Sequence, residues 1–183
     1  MTETKRLFIG LTNDNEIIPQ VFSNLREDFK NVLYGKWVEK QNLHITIKFL
    51  GDTEVELIPQ LQNALKSILG THQGKIVAKG INAFPSLNRP RILYIANTVG
   101  SEMITSINKQ VETSLAPFFL KSDNKTFRPH LTICRIKEIA NGNFSSTLAK
   151  YRDFDFGSSD NYSVNLYESK LTPRGPIYSV LSH

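Results

Sequence analysis

The chain holds a single cysteine, Cys134, in 183 residues, which excludes an intrachain disulfide and a thiolate metal cluster. No apolar run is long enough to cross a membrane; Leu7-Phe8-Ile9-Gly10-Leu11 is far too short and reads as a first strand. A signal-peptide pattern is also missing, so a cytoplasmic protein is expected. Short tandem repeats, low-complexity tracts and long linkers are absent. Histidine is scarce, at four residues, and neither charge sign dominates: 22 Lys and Arg against 17 Asp and Glu leave a net +5. That excess is too mild for a chromatin protein. It suits a soluble protein with a polyanionic substrate, and equally a protein with none.

What is present is enough for a core. The hydrophobic fraction is 40% and the aromatic fraction 10%, so one domain or two small, closely packed lobes are expected. Arg6 to Leu11 reads as a buried strand, and Asn13-Asp14-Asn15 as a turn that starts a helix. Ile17, Val21, Leu25, Phe29 and Val32-Leu33 then predict a helix to about Tyr34, stopped by Gly35. Leu43 to Leu50 reads as a strand closed by Gly51-Asp52. Val55, Ile58, Leu61, Leu65, Ile68 and Leu69 form the stripe of a second helix, with Pro59 in its first turn and Gly70 at its end. Lys75–Phe84 and Arg91–Asn97 read as a hairpin, and a third helix runs from Gly100-Ser101 through Leu115 to Pro117. A polar loop over Lys121–Lys125, a strand over Thr126–Ile136 and one more helix within Glu138–Tyr151 follow. Phe154–Gly157, Tyr162–Leu171 and Ile177–Leu181 read as closing strands.

One pattern occurs twice. His44-Ile45-Thr46-Ile47 recurs as His130-Leu131-Thr132-Ile133, 86 positions on, close to half the chain. That spacing suggests an internal duplication. In each copy the alternation is that of a half-buried strand, with His and Thr on one face and the apolar residues in the core. His and Thr then stand about 6.6 Å apart along the strand, at roughly 3.3 Å per residue. Two such strands facing each other offer a base, an acid and two hydroxyl donors around one small anion, as phosphodiester hydrolysis without a metal requires. Parity adds Lys48 to the first motif face and Cys134 to the second, the latter as a small residue lining the cleft floor. A zinc site is the main rival, but two histidines with no Asp or Glu on the same faces supply too few ligands. His72 and His183 read as bystanders.

The chain resembles the 2H phosphoesterase superfamily, named for its paired H-x-T/S motifs, and within it the RNA 2′,3′-cyclic phosphodiesterase, or LigT-like, family. The resemblance rests on Arg6-Leu7-Phe8-Ile9, on Asn42 through Gly51, and on Phe84-Pro85 followed by Arg89 through Leu93. It continues through Phe127-Arg128-Pro129-His130-Leu131-Thr132 and Leu166-Tyr167-Glu168-Ser169 to Pro173 through Tyr178. It implies an α+β bilobal fold over residues 1–183. Two antiparallel sheets would line a V-shaped cleft with helices outside, related by a pseudo-two-fold, with one motif per lobe. It implies metal-independent hydrolysis of RNA 2′,3′-cyclic phosphate ends to 2′-phosphates, with 2′-5′ ligation as a reverse activity. His44 matches the proton donor and His130 the proton acceptor. Thr46 and Thr132 match phosphate-binding hydroxyls, and Arg135 a basic residue that stacks on the terminal base.

By parity Arg135 lies on the face opposite His130 if the strand is regular, so reaching the cleft requires a bulge or the strand's end. Trp37, Phe84, Tyr94 and Phe127 read mostly as core. Arg89, Arg91, Arg128 and Arg174 are candidates for an RNA-binding rim, with Arg128 and Arg174 favoured. A monomer without metal or cofactor is expected. The rival readings are a related diesterase for another small cyclic or 2′-5′ nucleotide, and a non-catalytic RNA-end-binding module. Both His and both Thr are intact, which counts against the second.

Overall fold

The computed structural model describes residues 2–13, 17–118, 126–140, 142–173 and 175–181. The Asp14-Asn15 turn, the Lys121–Lys125 loop, Arg174 and His183 lie outside them. In chain order the elements are β1 (Thr4–Asn13), α1 (Ile17–Asp28), β2 (Leu33–Trp37), β3 (Ile45–Glu54), α2 (Ile58–Leu65), β4 (Gly70–Phe84) and β5 (Ile92–Val99). Then come α3 (Ser101–Leu115), β6 (His130–Ile139), α4 (Phe144–Lys150), β7 (Asp155–Thr172) and β8 (Gly175–Val180). Among the described residues no helix is long and apolar enough to cross a membrane.

The architecture is α+β, with every strand pairing antiparallel. One wall is built from β3, β1, β7 and β8, the other from β2, β6, β5 and β4. The walls are halves of one hydrogen-bonded sheet. The long strands β4 and β7 pair with each other and pass from one wall into the other, and β3 meets β6 at the single pair Ile45↔Leu131. The length of those strands explains one correction. Phe154–Gly157 and Tyr162–Leu171 are not two strands but parts of the 18-residue β7, whose polar Ser158 and Ser159 pair with Val77 and Ile76.

Each wall buries its own apolar face. Leu7, Ile9 and Leu11 of β1 pack with Leu61 and Leu65 of α2 and Ile104, Ile107, Val111 and Leu115 of α3. Ile18, Phe22 and Leu25 of α1 pack with Leu93, Ile95 and Ile133 and with Phe144 and Leu148 of α4. In α1 and α3 the buried residues recur every three or four positions, which gives each helix one apolar stripe. Each wall therefore carries one helix from the first half of the chain and one from the second.

Several boundaries differ from the sequence expectation. The first helix ends at Asp28 rather than near Tyr34, and Leu33–Trp37 is a strand along β6. Gly35 does not stop a helix. A Cβ there would meet Arg135 O and Cys134 Sγ at 2.7 Å, so glycine permits β2 to press against β6. The first motif strand continues past Gly51-Asp52 to Glu54, because Gly51 takes φ +75° within it. The second helix ends at Leu65, and Gly70 opens β4 instead of closing the helix.

Candidate active site

The site is built on the junction of the two walls. Ile45 and Leu131, the second residues of the two motifs, pair with each other in antiparallel register. Continuing that register sets His44 opposite Thr132 and Thr46 opposite His130. Directly opposed residues have Cβ atoms roughly 4.5–5.5 Å apart. The four polar side chains are thereby brought to one junction about a local two-fold, where the charge of His130 acts on His44.

Both motifs then bulge at the same place. Gly10 pairs with Thr46 and Ile9 with Lys48, which leaves Ile47 extra. Tyr94 pairs with Thr132 and Leu93 with Cys134, which leaves Ile133 extra. An extra residue inverts the alternation beyond it, and two consecutive side chains turn inward in each strand: Ile47 with Lys48, and Ile133 with Cys134.

This corrects two expectations and supplies the bulge a third required. Lys48 does not line the cleft. It is buried behind the sheet, with its Nζ 2.6 Å from Glu112 on α3. Cys134 does not line the cleft floor either. It is fully buried in the second core, where burial pushes its thiol up to about 12 despite the opposing charge of Arg26. Arg135 is turned out onto the His130 face, exposed, as is its counterpart Phe49 in the first motif.

The two imidazoles are held alike. His44 Nδ1 lies 2.7 Å from the Asn42 carbonyl, and His130 Nδ1 lies 2.7 Å from the Arg128 carbonyl, each two residues back. A carbonyl only accepts, so each Nδ1 carries its hydrogen and each Nε2 is left for chemistry. His44 Nε2 is 3.0 Å from Thr46 Oγ1. Phe8, Tyr178 and Tyr167 surround the His44 ring, at centroid separations of 4.8, 5.3 and 6.4 Å. Phe84 and Tyr94 stack on each other at 4.3 Å and meet the His130 ring edge-on at 5.0 and 5.4 Å.

Both histidines titrate below the ordinary 6.5. For His44 burial is the main cause, the Asn42 carbonyl opposes it, and the charges of Arg135 and His130 add to it. For His130 burial again leads, the Arg128 carbonyl opposes, and Arg135 adds. One guanidinium therefore acts on both imidazoles. It also acts on Tyr178, whose hydroxyl burial raises and which Arg135 and Arg6 pull down.

Of the aromatics read mostly as core, Trp37 packs against Phe22 and Phe29, and Phe127 packs on the first core. Phe84 and Tyr94 belong to the His130 surroundings instead. Among the rim candidates Arg128, Arg89 and Arg91 are exposed. Arg128 acts on Tyr94, whereas Arg91 reaches the Lys137 carbonyl at 3.5 Å. Sequence reasoning assigned no role to Phe8, Gly10, Tyr167 or Tyr178. The alternation of β1 contains the signal, since Arg6, Phe8 and Gly10 share the face opposite Leu7, Ile9 and Leu11. No group of three or more His, Cys, Asp or Glu that could hold a metal occurs among the described residues.

A family model described as LigT like Phosphoesterase matches residues 14–94 and again 97–178, one match per half of the chain. An RNA 2′,3′-cyclic phosphodiesterase of Methanocaldococcus jannaschii is 36% identical over 96% of this chain and 98% of its own. One of Aquifex aeolicus is 34% identical over 96% of this chain and 94% of its own. The fold is similar to that of Escherichia coli LigT crystallised with 3′-AMP, with a TM-score of 0.74 and 20% identity over 98% and 97% of the two chains.

Proposed function

The chain belongs to the LigT-like phosphoesterase family, and from that premise we propose that it is an RNA 2′,3′-cyclic phosphodiesterase working by metal-independent acid and base catalysis on two histidines. The observation that carries this reading is the Ile45–Leu131 pair, whose register, continued one residue each way, would bring His44, Thr46, His130 and Thr132 into one square. His130 Nε2 takes a proton from water as the water oxygen attacks phosphorus. The bond from phosphorus to the 3′ oxygen breaks, and His44 Nε2 gives that oxygen its proton. The products are a 2′-phosphomonoester and a free 3′ hydroxyl. Thr46 and Thr132 hold the non-bridging oxygens, and Arg135 holds the terminal nucleotide. The same groups, in the same roles, form a 2′-5′ bond when the 5′ hydroxyl of a second RNA end replaces water: His130 takes its proton, its oxygen attacks phosphorus, and the 3′ oxygen leaves with the proton of His44.

Because each wall uses helices from both halves of the chain, we take residues 1–183 to work as one domain of two packed lobes, each bearing one motif. It acts as a cytoplasmic monomer. Acid, base and oxyanion donors all come from side chains, so no Lewis acid is required.

The test is an RNA with a terminal 2′,3′-cyclic phosphate, incubated in EDTA, with the product mapped. A 2′-phosphate is expected. His44→Ala and His130→Ala should each lose about 10²–10⁴-fold in rate. A substrate with sulfur in place of the 3′ oxygen has a leaving group that needs little protonation, so it should rescue His44→Ala far more than His130→Ala. A 3′-phosphate product or equal rescue would reverse the assignment. Activity lost on chelation and restored by one divalent ion would refute the metal-free reading. Binding without turnover would point to an RNA-end-binding module.

A further inference from the structure

We propose that Lys36 forms a second anion subsite in the cleft, which binds the phosphate on the 5′ side of the terminal nucleotide. The enzyme would then select an RNA strand over a bare nucleoside cyclic phosphate. The proposal rests on the reading above and names a determinant of specificity within it.

Lys36 pairs directly with Arg135 across β2 and β6. Directly opposed residues point to the same face of a sheet. Trp37 and Cys134, the next pair along, point into the second core, so Lys36 and Arg135 point into the cleft. Both are exposed. Like charges directly opposite on paired strands are destabilising, and none of the ion pairs formed among the described residues involves either residue. Two cations at one register position, with no ion pair among the described residues, favour an anion from outside.

The position of the ammonium says which anion. Lys36 stands on the wall of His130, yet it reaches the β7–β8 turn of the other wall. A Cβ built on Gly175 would lie 3.7 Å from Lys36 Nζ and 3.8 Å from its Cε, with no other neighbour within 4 Å. Gly175 has φ +139°, so a larger residue beside the ammonium is disfavoured at that position. In the proposed reaction the cyclic phosphate occupies the His and Thr square, and Arg135 takes the base. The remaining anionic group of that nucleotide is its 5′ phosphate, one ribose away. Lys36, one strand further out than Arg135, meets it there as a compact point charge.

The test compares four substrates on the full chain: adenosine 2′,3′-cyclic phosphate, its 5′-phosphorylated form, the dinucleotide ApA ending in a cyclic phosphate, and that dinucleotide with a neutral methylphosphonate linkage. For the wild type, kcat/KM should rise about tenfold when the 5′ phosphate is added, as monoester or diester, and fall back with methylphosphonate. Lys36→Gln should abolish the rise through KM and leave the unphosphorylated nucleoside within about twofold, which also serves as its folding control. Lys36→Arg should retain most of the rise. The KM of the dinucleotide should depend less on salt in Lys36→Gln than in the wild type, because one screened charge–charge contact is lost. Equal turnover of all four substrates by the wild type would overturn the proposal alone. So would an equal loss on all four in Lys36→Gln. A gain with ApA that survives methylphosphonate would assign the selectivity to the second nucleoside and overturn it as well. No turnover of any cyclic phosphate would overturn the underlying reading and the proposal with it.

Discussion

Replacing Gly10 by alanine should slow turnover without unfolding the chain. Gly10 pairs with Thr46, and its backbone runs directly beneath the first histidine. A methyl group there would lie 3.0 Å from Phe8 Cε2, 3.2 Å from Tyr167 Cε2 and 3.3 Å from His44 Cδ2. Carbon atoms prefer about 3.5–4.0 Å, so the rings must retreat by several tenths of an ångström. Phe8 has little room to do so, being buried and packed against Tyr167 at 5.0 Å and Tyr178 at 4.8 Å. His44 yields only by stretching its 2.7 Å bond to Asn42 or its 3.0 Å bond to Thr46. Overpacking of this kind costs about 1–3 kcal/mol, and each kcal/mol lowers Tm by about 2–4 °C in a chain of this size. A misplacement of about 1 Å at a reacting group costs roughly 10²-fold, so a shift of several tenths should cost roughly 3- to 10-fold in kcat. The assay is kcat and KM on the cyclic-phosphate RNA, beside Tm by circular dichroism. Ile107→Val is the control: it trims the first core away from the cleft, at about 0.5–1.5 kcal/mol, and should lower Tm with kcat unchanged. A Gly10→Ala protein with full kcat and unmoved His44 imidazole resonances would refute the reasoning.

Arg135→Gln should raise the pKa of both His44 and His130, because Arg135 lowers each of them; imidazole proton resonances followed through a pH titration check it, and a fall in either would contradict the geometry. Stability should also depend on pH below neutrality. His44 and His130 resist protonation when folded, so the unfolded chain binds more protons once pH falls below about 6.5. Stability should therefore be lost from there down towards the lowered folded values and be flat above, and replacing both by Gln should flatten the curve in denaturant titrations. Lys48→Met should leave kcat/KM within about twofold, since its ammonium lies behind the sheet, and a large loss would return Lys48 to the cleft. Glu112→Ala, which removes the carboxylate from a buried ammonium, should destabilise more than Lys48→Met does. About 1–3 kcal/mol is expected, below the figure for a fully buried pair because Glu112 is one-third exposed.

Alternation along a strand reveals which residues share a face until the strand gains a residue, and the active site lies where this happens. His44, Thr46, His130 and Thr132 precede the bulges, and their common face was legible from period two alone. Lys48, Cys134 and Arg135 follow them, and parity misplaced the first two and put the third on the wrong face. Nothing in Thr46-Ile47-Lys48 or Thr132-Ile133-Cys134 announces a bulge, because no glycine marks it and Ile is an ordinary strand residue. The bulges show only in the pairing with β1 and β5, where the register slips at those points. The third helix was legible end to end, because Ile104, Ile107, Val111 and Leu115 give an uninterrupted stripe after Gly100. The first helix was overextended because Val32 and Leu33 continue its apolar spacing, while their burial comes from strand β2 and its surroundings. The aromatic shell of His44 comes from β1, β7 and β8, far apart in sequence, and only the sheet order joins them.

A site duplicated about a local two-fold does not by itself say which histidine is the acid. The two motif strands bulge at the same place, and the outward-facing residue that follows each bulge differs, Phe49 in one copy and Arg135 in the other. Arg135 puts a positive charge on the His130 wall, where it depresses both imidazoles. A depressed pKa suits a base. The acid must hold a proton at working pH, and burial, Arg135 and His130 all oppose this at His44. On the proposed reading the opposing charge arrives with the substrate. A bound phosphate anion among the four corners offsets Arg135 and favours one imidazolium, and His130 must stay neutral to accept from water, so the proton belongs on His44. On that reading, substrate binding favours the proton on His44 that burial and Arg135 oppose in the free site.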